Sequence, residues 1–403
     1  MKTTTDSKSP SPRREFIRRS LLLGGGVAFG TQTVFSNRNL YVASSNSEIP
    51  EGNIKSVGYA AQSATSGLNR WEFERRPLGD LDILINIKYS SICHSDIHQI
   101  KGHWGPQSYP QTPGHEIAGI VAAVGKNVTK FKVGDRAGVG CMVNSCMECA
   151  SCLNGEEQHC DNRKTLYTYG NRDEKSPTGI TQGGYSTNIV VTEHFAVHIP
   201  TNIKLEDAAP LLCSGITTYS PLMKERIKKG DKVGVVGIGG LGHMAVKLAV
   251  AKGAEVYAFT TTPEKIQDIL SFGAKDVIVV DSPQKLFPYA GMLDFVISTV
   301  PYQFDVTSYL MTVKPYGTFT QVGLPPAGTL NVNAFVLAGG RVNFTGSMIG
   351  GIPETQEVID FCALNKIYPK VEIINPEEIN AAWDKVEKKQ ARYRYVIDMQ
   401  KLK

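Results

Sequence analysis

The stretch KVGVVGIGGLGHMAVKLAVAKGAEVYAFTTTPEK, residues 232–265, decides the fold. It contains an apolar strand, a glycine turn, an amphipathic helix and a second apolar strand, and further apolar runs follow. Strands that are apolar on both faces and alternate with helices are typical of a parallel sheet covered on both sides. The sequence therefore predicts an α/β fold with a doubly wound Rossmann domain over residues 211–344.

The chain on either side of this domain has a different pattern. Residues 52–210 carry short alternating runs such as DILINIKYSSI, broken by glycines, which predict an irregular β domain. Residues 345–403 predict two helices and a closing strand that return to the β domain. A chain of 403 residues is long enough for two packed domains.

The glycine turn GIGGLG, residues 237–242, lies between a predicted strand and a predicted helix. In this context glycine permits a tight turn and close approach of the backbone to a pyrophosphate, and the helix N-terminus offers free N–H groups. A glycine-rich turn without a ligand is the alternative. The motif predicts a dinucleotide site formed by Gly237, Gly239, Gly240, Leu241 and Gly242.

The end of the next strand indicates which dinucleotide binds. An NAD site usually has a carboxylate there to hold the ribose hydroxyls. This strand instead ends in Thr260, Thr261 and Thr262, with Lys265 one turn later. Hydroxyls and an ammonium suit a 2′-phosphate and favour NADP(H), although the threonines could serve only to cap the helix that begins near Pro263.

Four cysteines lie close together in CMECASCLNGEEQHC, at Cys146, Cys149, Cys152 and Cys160. Thiols at two-residue intervals can converge on one tetrahedral ion, which predicts a structural zinc site. A disulfide cluster is the alternative, but cysteines two residues apart are poorly placed to pair.

The net charge of +5 lies at the N-terminus, because residues 1–44 contain seven Lys/Arg and two acidic residues. The remainder is balanced, which excludes a basic surface for nucleic acid or an anionic membrane.

The N-terminal segment has the layout of an export signal. The motif PRREFIR, residues 12–18, followed by the apolar run 21–35, resembles a twin-arginine signal. We expect export in folded form by the twin-arginine machinery, a periplasmic location, and no membrane span after processing. A basic tail or a retained membrane anchor are the alternatives, and the protein is cytoplasmic if the leader does not function.

Several short sequence segments, spread along the chain, together resemble one protein family. The strings CHSDIH (93–98), PGHEIAG (113–119), LLCSGITTYSPL (211–222) and YRYVID (393–398) accompany the four-cysteine segment and the glycine turn. In this order they resemble the zinc-dependent medium-chain alcohol dehydrogenases, and within them the cinnamyl alcohol dehydrogenases and bacterial broad-range aldehyde reductases. The resemblance implies that the β domain is GroES-like.

The resemblance also implies roles for individual residues. Cys93, His115 and Cys213 correspond to the ligands of a catalytic zinc, and Glu116 to an acid that can approach the metal. Asp96 corresponds to a carboxylate that orients the histidine ligand, and Ser95 and His98 to a proton relay whose imidazole faces solvent. The further implied contacts are Thr217, Val322, Ser347, Met348 and Ile349 for the cofactor, and Trp104 for the substrate pocket.

The implied activity is hydride transfer between NADP(H) and a small primary alcohol or aldehyde, mainly aldehyde reduction. We expect two zinc ions per chain, one catalytic and one structural, and a homodimer. A zinc-independent quinone or enone reductase is one alternative, but such enzymes lack the Cys93, His115 and Cys213 set. A non-catalytic nucleotide-binding or redox-sensing protein on the same fold is the other.

Overall fold

The computed structural model describes residues 51–402. The twin-arginine prediction concerns residues outside this range. Among the described residues, no helix has the length and apolar character needed to cross a membrane.

Short strands dominate the first part of the described chain. The strands are β1 (Ile54–Ala61), β2 (Leu68–Arg75), β3 (Asp82–Ser91), β4 (Ile117–Val124), β5 (Arg136–Val139), β6 (Met142–Asn144), β7 (Leu166–Tyr167), β8 (Asn188–Thr192) and β9 (Ala196–His198). Three short helices interrupt them, α1 (His94–Ile100), α2 (Ala150–Leu153) and α3 (Leu205–Ala208).

Helices and strands alternate in the second part. The helices are α4 (Ser214–Lys224), α5 (Gly242–Ala251), α6 (Ile266–Ser271), α7 (Val306–Leu310), α8 (Ala334–Gly340), α9 (Ile352–Asn365) and α10 (Ile379–Glu387). The strands are β10 (Lys232–Val236), β11 (Glu255–Thr260), β12 (Asp276–Val279), β13 (Leu293–Ser298), β14 (Val313–Gln321), β15 (Asn343–Gly346), β16 (Val371–Ile374) and β17 (Arg394–Asp398).

The Rossmann sheet has six parallel strands in the order β12-β11-β10-β13-β14-β15. The chain order reverses between the central strands β10 and β13, and ligands of such sheets bind at the carboxyl ends of the strands at this point. Val236, the last residue of β10, is level with Phe259 of β11 and Ser298 of β13. The residues that follow these three strands therefore share one edge of the sheet.

The second sheet is mainly antiparallel and has the order β16-β17-β3-β4-β5-β9, with β8 also paired to β3. Its strand β17 comes from the C-terminal segment and pairs with β3 through Val396 and Ser91. Strand β16, which the sequence pattern did not indicate, lies parallel to β17 at the sheet edge. The predicted combination of a parallel Rossmann sheet and a β domain is confirmed.

Helix α4 packs where the two sheets meet. Ile216, Tyr219 and Leu222 on this helix are each at most 2% exposed, and the helix contacts α5 and α9. Full burial of an aliphatic or aromatic side chain contributes about 1.5–3 kcal/mol each. The same hydrophobic core contains Ile85 of β3 and Val235 of β10, so one core supports both sheets.

Candidate active site

A cavity of about 540 Å³ is lined by residues of both sheets. Within the described chain, although Asp96, Glu116 and Gly242 do not line it, its walls hold candidate residues from every motif except the four-cysteine segment. These are Cys93, Ser95, His98, Trp104, His115, Cys213, Thr217, Gly237, Gly239, Gly240, Leu241, Thr260, Thr261, Thr262, Lys265, Val322, Ser347, Met348 and Ile349. The fold thus brings residues separated by more than 200 positions into one cleft.

Three separate turns bring potential metal ligands together on one side of the cleft. Cys93 precedes α1, His115 and Glu116 precede β4, and Cys213 precedes α4. One ligand atom from each of the four residues lies within 4.8 Å of the others, and all four residues are buried. The Sγ atoms of Cys93 and Cys213 are 4.0 Å apart.

Asp96, a fully buried residue of α1, holds this cluster in place. Its carboxylate accepts hydrogen bonds from the backbone N–H groups of Cys93 (2.9 Å) and Gly114 (3.2 Å) and from the hydroxyl of Tyr185 (2.8 Å). His115 Nδ1 lies 3.0 Å from Asp96 Oδ1. Because Nδ1 is engaged with a carboxylate, the ring presents Nε2 to the cluster, as a metal-binding histidine does.

The pKa values of the two thiols in this cluster are shifted in opposite directions. The hydrogen bond with Cys213 is the main cause that holds the pKa of the Cys93 thiol well below its ordinary value. Hydrogen bonds with Cys141 and Cys93, together with burial, raise the pKa of Cys213. The lowered pKa of Cys93 favours its thiolate, which is the form that binds metal.

Glu116 forms a buried ion pair with Arg394 of β17. Burial raises the pKa of Glu116 to about 7, and the charge of Arg394 counteracts that rise. The second carboxylate oxygen, Oε1, is buried without a hydrogen-bond partner. Sequence reasoning quoted the YRYVID string but assigned Arg394 no role, because nothing in a single sequence shows that its guanidinium lies beside Glu116.

The four-cysteine segment forms a second cluster away from the cleft. Ligand atoms of Cys146, Cys149, Cys152 and Cys160 lie within 4.8 Å of one another. The Sγ atoms of Cys146 and Cys152 are 3.8 Å apart, and those of Cys149 and Cys160 are 4.0 Å apart. A disulfide requires about 2.05 Å, so the four sulfurs converge without bonding.

Backbone N–H groups point at the sulfurs of this second cluster. Cys149 N–H donates to Cys146 Sγ at 3.4 Å, Asp161 N–H to Cys149 Sγ at 3.3 Å, and Lys164 N–H to Cys160 Sγ at 3.5 Å. Backbone hydrogen bonds lower the pKa of the Cys146 thiol to about 6, and the bond with the backbone of Glu148 has the largest effect. These hydrogen bonds favour the thiolate form of Cys146, Cys149 and Cys160, whereas burial raises the pKa of Cys152 to about 12.

The glycine turn has the geometry that its motif predicts. Gly237 has a φ of +82°, and a Cβ on Gly242 would lie 2.0 Å from the carbonyl oxygen of Gly237. A Cβ on Gly239 would meet nothing within 4 Å, so this residue borders open cleft. A Cβ on Gly240 would approach Arg394 Nη1 to 2.6 Å, which places the guanidinium against the turn.

Lys265 lies at the far end of the cleft and is only 5% exposed. Its Nζ donates to the carbonyl of Ile238 at 3.0 Å and lies 5.3 Å from the centre of the Tyr393 ring. Burial, followed by the charge of Arg392, lowers the pKa of Lys265 to about 8. Within the described chain this ammonium forms no ion pair with a carboxylate, and it lines the cleft, so it can attract an anion bound there.

The threonines before Lys265 do not cap the helix that follows. Thr262 precedes the 3₁₀ turn Pro263–Lys265, but its side chain makes no capping hydrogen bond. Instead, its backbone N–H donates to the hydroxyl of Thr260 at 3.1 Å. The capping alternative for Thr262 is therefore not supported, and the hydroxyls of Thr261 and Thr262 stay available to the cleft.

His98 was expected to face solvent, and this expectation is wrong. The residue is 3% exposed, because the rings of His94, His103 and Trp104 pack around it in tilted orientations with ring centres 4.7–5.2 Å away. Sequence reasoning also missed Tyr169, which stacks on His115 at 5.7 Å, and Cys141, which lines the cleft. Tyr169 and Cys141 lie in none of the motifs, and His103, which precedes Trp104 in the sequence, was assigned no role.

A Rossmann sheet, a GroES-like β domain, a buried Cys–His–Cys cluster and a separate four-cysteine loop together define a metal- and nucleotide-dependent dehydrogenase. Family models agree: residues 79–201 match the alcohol dehydrogenase GroES-like domain, and residues 240–363 match the zinc-binding dehydrogenase domain. The chain belongs to the zinc-binding medium-chain alcohol dehydrogenase family.

Relatives cover nearly the whole described chain. An NADP-dependent alcohol dehydrogenase C of Mycolicibacterium smegmatis is 47% identical over 345 residues, which is 86% of this chain and 98% of the relative. The structure of a cinnamyl alcohol dehydrogenase from Helicobacter pylori, complexed with NADP(H), matches with a TM-score of 0.82 and 44% identity, covering 87% of this chain and 99% of that one. A cinnamyl alcohol dehydrogenase from Sorghum bicolor matches with a TM-score of 0.83 and 37% identity, covering 86% and 98%. The family resemblance is confirmed, and the non-catalytic alternative is not favoured.

The contacts of Asp96 generate a testable prediction. Asp96→Asn places an amide where the carboxylate now receives the hydrogen of His115 Nδ1, so the ring loses its fixed orientation. We expect the affinity of this cluster for zinc to fall about 10- to 100-fold, measured by competition with a chelator. Tyr185→Phe, which removes one hydrogen bond to Asp96, should have a smaller effect.

The exposed carboxylate of Asp360, which accepts only from Gln356 on its own helix, supplies the control. Asp360→Asn should leave zinc affinity unchanged. Wild-type zinc affinity in Asp96→Asn would show that Asp96 does not orient His115 for a metal.

Proposed function

We propose that this protein is a zinc- and NADP(H)-dependent dehydrogenase that interconverts aldehydes and primary alcohols, mainly in the direction of reduction. One observation carries the proposal. Cys93, His115 and Cys213 of the buried cluster lie in the wall of the same cleft that the glycine turn and Lys265 line, and the buried Glu116 completes the cluster behind them. The names of the relatives, which are NADP-dependent alcohol dehydrogenase and cinnamyl alcohol dehydrogenase, support it.

The residues of the cluster fit a catalytic zinc ion. Two sulfurs bound at about 2.3 Å to a tetrahedral ion lie about 3.8 Å apart, and those of Cys93 and Cys213 are 4.0 Å apart. His115 supplies a nitrogen, which leaves the fourth position for water, substrate oxygen or the unpartnered Oε1 of Glu116. When bound, zinc would polarise the substrate oxygen and NADPH would supply the hydride.

The protein's own residues prepare the cleft for this reaction. Asp96 fixes His115, and Arg394 balances the charge of Glu116 while lying against the glycine turn. Ser95, half-buried in the cleft beside Cys93, is the proposed hydroxyl of the proton relay, and His98 is its imidazole. Trp104, 37% exposed at the edge of the cleft, is the proposed aromatic wall of the substrate pocket.

A preference for NADP(H) follows from the charge at the end of β11. A 2′-phosphate placed near Lys265 would meet an ammonium and the hydroxyls of Thr261 and Thr262, and the nearby Asp268 is already paired with Lys370 and Arg392. The dinucleotide itself would lie across the glycine turn with the pyrophosphate at the N-terminus of α5. Thr217, Val322 and the segment 347–349 complete the proposed cofactor contacts.

A second, structural zinc ion is proposed for the four-cysteine loop. The sulfur separations of 3.8 and 4.0 Å match tetrahedral coordination, and the N–H groups directed at the sulfurs stabilise thiolates. None of these cysteines lines the cleft, so a metal there would hold the loop rather than meet a substrate.

A homodimer is proposed from the edge of the Rossmann sheet. Within the described chain, β15 pairs only with β14, and an unpaired edge is a ready site for strand addition. Tyr316 is 69% exposed, Phe335 is 89% exposed, and both lie near this edge. Light scattering should give twice the mass of one chain, and a monomer at micromolar concentration would contradict the proposal.

Export is proposed from residues 12–35 alone. The paired arginines and the apolar run support export to the periplasm by the twin-arginine route. Because zinc thiolates assemble best in a reducing compartment, we expect the protein to fold and bind its metal before export. If the leader does not function, the protein stays in the cytoplasm. Cell fractionation of the full chain and of an Arg13→Lys/Arg14→Lys variant distinguishes the two locations.

The proposed chemistry predicts the effect of removing one sulfur. Wild-type protein should bind two zinc ions per chain and oxidise NADPH with an aromatic or aliphatic aldehyde. Cys93→Ser should retain one zinc and lose at least about 100-fold in kcat, because the remaining ligands no longer close the site. Metal analysis and absorbance at the NADPH band measure both quantities.

Cys362 supplies the control for Cys93, because it is also buried but belongs to α9 and to neither cluster. Cys362→Ala should keep both zinc ions and wild-type turnover. Two zinc ions and full activity in Cys93→Ser, or wild-type protein without aldehyde-dependent turnover, would contradict the proposal.

The lowered pKa of Lys265 predicts how cofactor binding depends on pH. With a pKa of about 8, the free ammonium is charged below pH 8 and neutral above it. NADPH affinity should therefore fall as pH rises from 7 to 9.5, by up to about tenfold per unit above the pKa. NADH, which lacks the 2′-phosphate, should show no such trend in fluorescence titrations.

Substitution tests the same contact. Lys265→Met should weaken NADPH about 10- to 100-fold, as expected for the loss of one charged hydrogen bond, and leave NADH affinity nearly unchanged. Lys275→Met is the control, because Lys275 pairs with Glu255 outside the cleft. A wild-type preference for NADH would overturn this assignment of Lys265.

A further inference from the structure

The four-cysteine loop contacts the N-terminus of helix α9 through one buried carboxylate. Glu157 lies between Cys152 and Cys160 in the loop and is fully buried. Its Oε2 accepts a hydrogen bond from the backbone N–H of Ile352, the first residue of α9, at 3.0 Å. Its Oε1 lies 2.7 Å from Nε2 of His194, which follows β8. Both oxygens of Glu157 are therefore held, one by the helix and one by the β domain.

The charge of Glu157 suits this position. Burial raises the pKa of Glu157, but the hydrogen bonds with His194 and with the N–H of Ile352 outweigh this effect, so its pKa lies below the ordinary value. Gly351, the residue before α9, makes no capping hydrogen bond with a side chain. A carboxylate beside the first N–H groups of a helix satisfies a free donor and interacts favourably with the helix dipole. Glu157 therefore caps α9 from another segment of the chain.

The backbones of the loop and the helix are also in direct contact. A Cβ on Gly351 would lie 1.6 Å from the carbonyl oxygen of Gly155, and a Cβ on Gly155 would lie 2.8 Å from Cγ of Pro353. Glycine permits this close approach because it has no Cβ. No side chain separates the two backbones at this point, so a displacement of the loop is transmitted to the start of α9.

The segment before α9 forms part of the cleft wall. Residues 347–349 line the cleft and end three positions before Ile352. Ile349 has a φ of +46°, a left-handed conformation that a β-branched residue rarely adopts unless its surroundings hold it. The next residue, Gly350, packs against α4, where an added Cβ would lie 2.6 Å from Cδ1 of Ile216. The backbone at Ile349 is therefore held by the position at which α9 begins.

We propose that Glu157 couples metal binding in the four-cysteine loop to cofactor binding in the cleft. The loop holds Glu157, Glu157 holds the N–H of Ile352, and the start of α9 sets the segment 347–349. Glu157 belongs to neither the metal-ligand group of the loop nor the cleft wall, so it is a positioning residue. The inference rests on the proposed function, because it requires zinc in the loop and NADPH against residues 347–349.

The coupling has a definite sign. A metal ion that gathers the four sulfurs keeps the loop, and with it Glu157 and the start of α9, in the observed arrangement. A cofactor bound against residues 347–349 favours the same arrangement. Two ligands that favour one conformation strengthen the binding of each other by the same factor. NADPH should therefore tighten the binding of zinc in the loop, and zinc in the loop should tighten the binding of NADPH equally.

The first experiment measures the affinity of the loop for zinc with and without NADPH. It uses the Cys93→Ser protein, in which the loop should hold the remaining zinc ion, and competition with a chelator. We expect saturating NADPH to raise the zinc affinity about 5- to 10-fold. Glu157→Ala in the same protein should reduce this factor to about one, because the contact that carries the coupling is lost.

A neighbouring acid in the same loop supplies the control. The side chain of Glu156 is 46% exposed, and its carboxylate pairs with Lys224 at 3.8 Å rather than with α9. Exposed ion pairs of this kind contribute little. Glu156→Gln in the Cys93→Ser protein should therefore keep the full effect of NADPH on zinc affinity.

A substitution on the helix tests the same hydrogen bond without changing the loop. Ile352→Pro removes the N–H that Glu157 accepts, and proline is well tolerated at the first position of a helix after an extended residue such as Gly351. In the Cys93→Ser protein we expect this variant to bind zinc in the loop and to lose the effect of NADPH. Ile352→Val keeps the N–H and most of the side chain, so it should retain the effect.

Fluorescence titration first establishes that NADPH binds to the Cys93→Ser protein. Bound NADPH without any change in zinc affinity would overturn the coupling. A full effect of NADPH in either Glu157→Ala or Ile352→Pro would overturn the role of Glu157, and if Glu157→Ala does not fold, Ile352→Pro decides. Loss of the effect in Ile352→Val as well would assign it to packing and overturn the proposal. A loop without affinity for zinc, or a cleft without affinity for NADPH, would instead contradict the proposed function, so the two failures are distinct.

Discussion

The site depends on one buried carboxylate. Asp96 is fully buried, and burying a charge costs several kcal/mol unless hydrogen bonds and an opposite charge compensate for it. Two backbone N–H groups, the Tyr185 hydroxyl and His115 Nδ1 provide that compensation. Because these partners come from the turn before α1, the turn before β4 and the turn before β8, the carboxylate determines where Cys93 and His115 can lie.

A second buried charge pair connects the site to the end of the chain. Arg394 belongs to β17, which pairs with β3, and its guanidinium contacts both Glu116 and the glycine turn of the Rossmann domain. Removing either partner would leave an isolated buried charge, which typically costs about 3–5 kcal/mol. The C-terminal strand therefore serves the site as well as the sheet, because its Arg394 places a positive charge beside Glu116 and against the glycine turn.

The sequence predicted those parts of the structure that residues close together in the chain form by themselves. The strand, turn and helix around Gly237 lie within one βα unit, and the four cysteines lie in one loop, so spacing alone was informative. Cys93, His115 and Cys213 meet only through long-range packing, and a family resemblance was needed to join them. His98 was assigned the wrong exposure, because its burial depends on how α1 ends at Gly102 and on where His103 and Trp104 lie, which the pattern of a seven-residue helix does not reveal. Arg394 escaped notice for a similar reason, since a buried arginine has no sequence signature.

The different surroundings of the two cysteine clusters explain why only one is suited to chemistry. In the four-cysteine loop all four positions around a metal are sulfurs, and backbone N–H groups fix them away from the cleft. A metal so enclosed has no position for a substrate. The cluster at Cys93 has two sulfurs, one imidazole and a carboxylate oxygen that lacks a hydrogen-bond partner, and it opens on a cavity of about 540 Å³. An ion there can exchange one ligand, and the cleft beside it is lined by the turn that would hold a dinucleotide. In the proposed function both clusters bind zinc, so the number of sulfurs and access to the cleft, rather than the identity of the ion, would distinguish the structural site from the catalytic one.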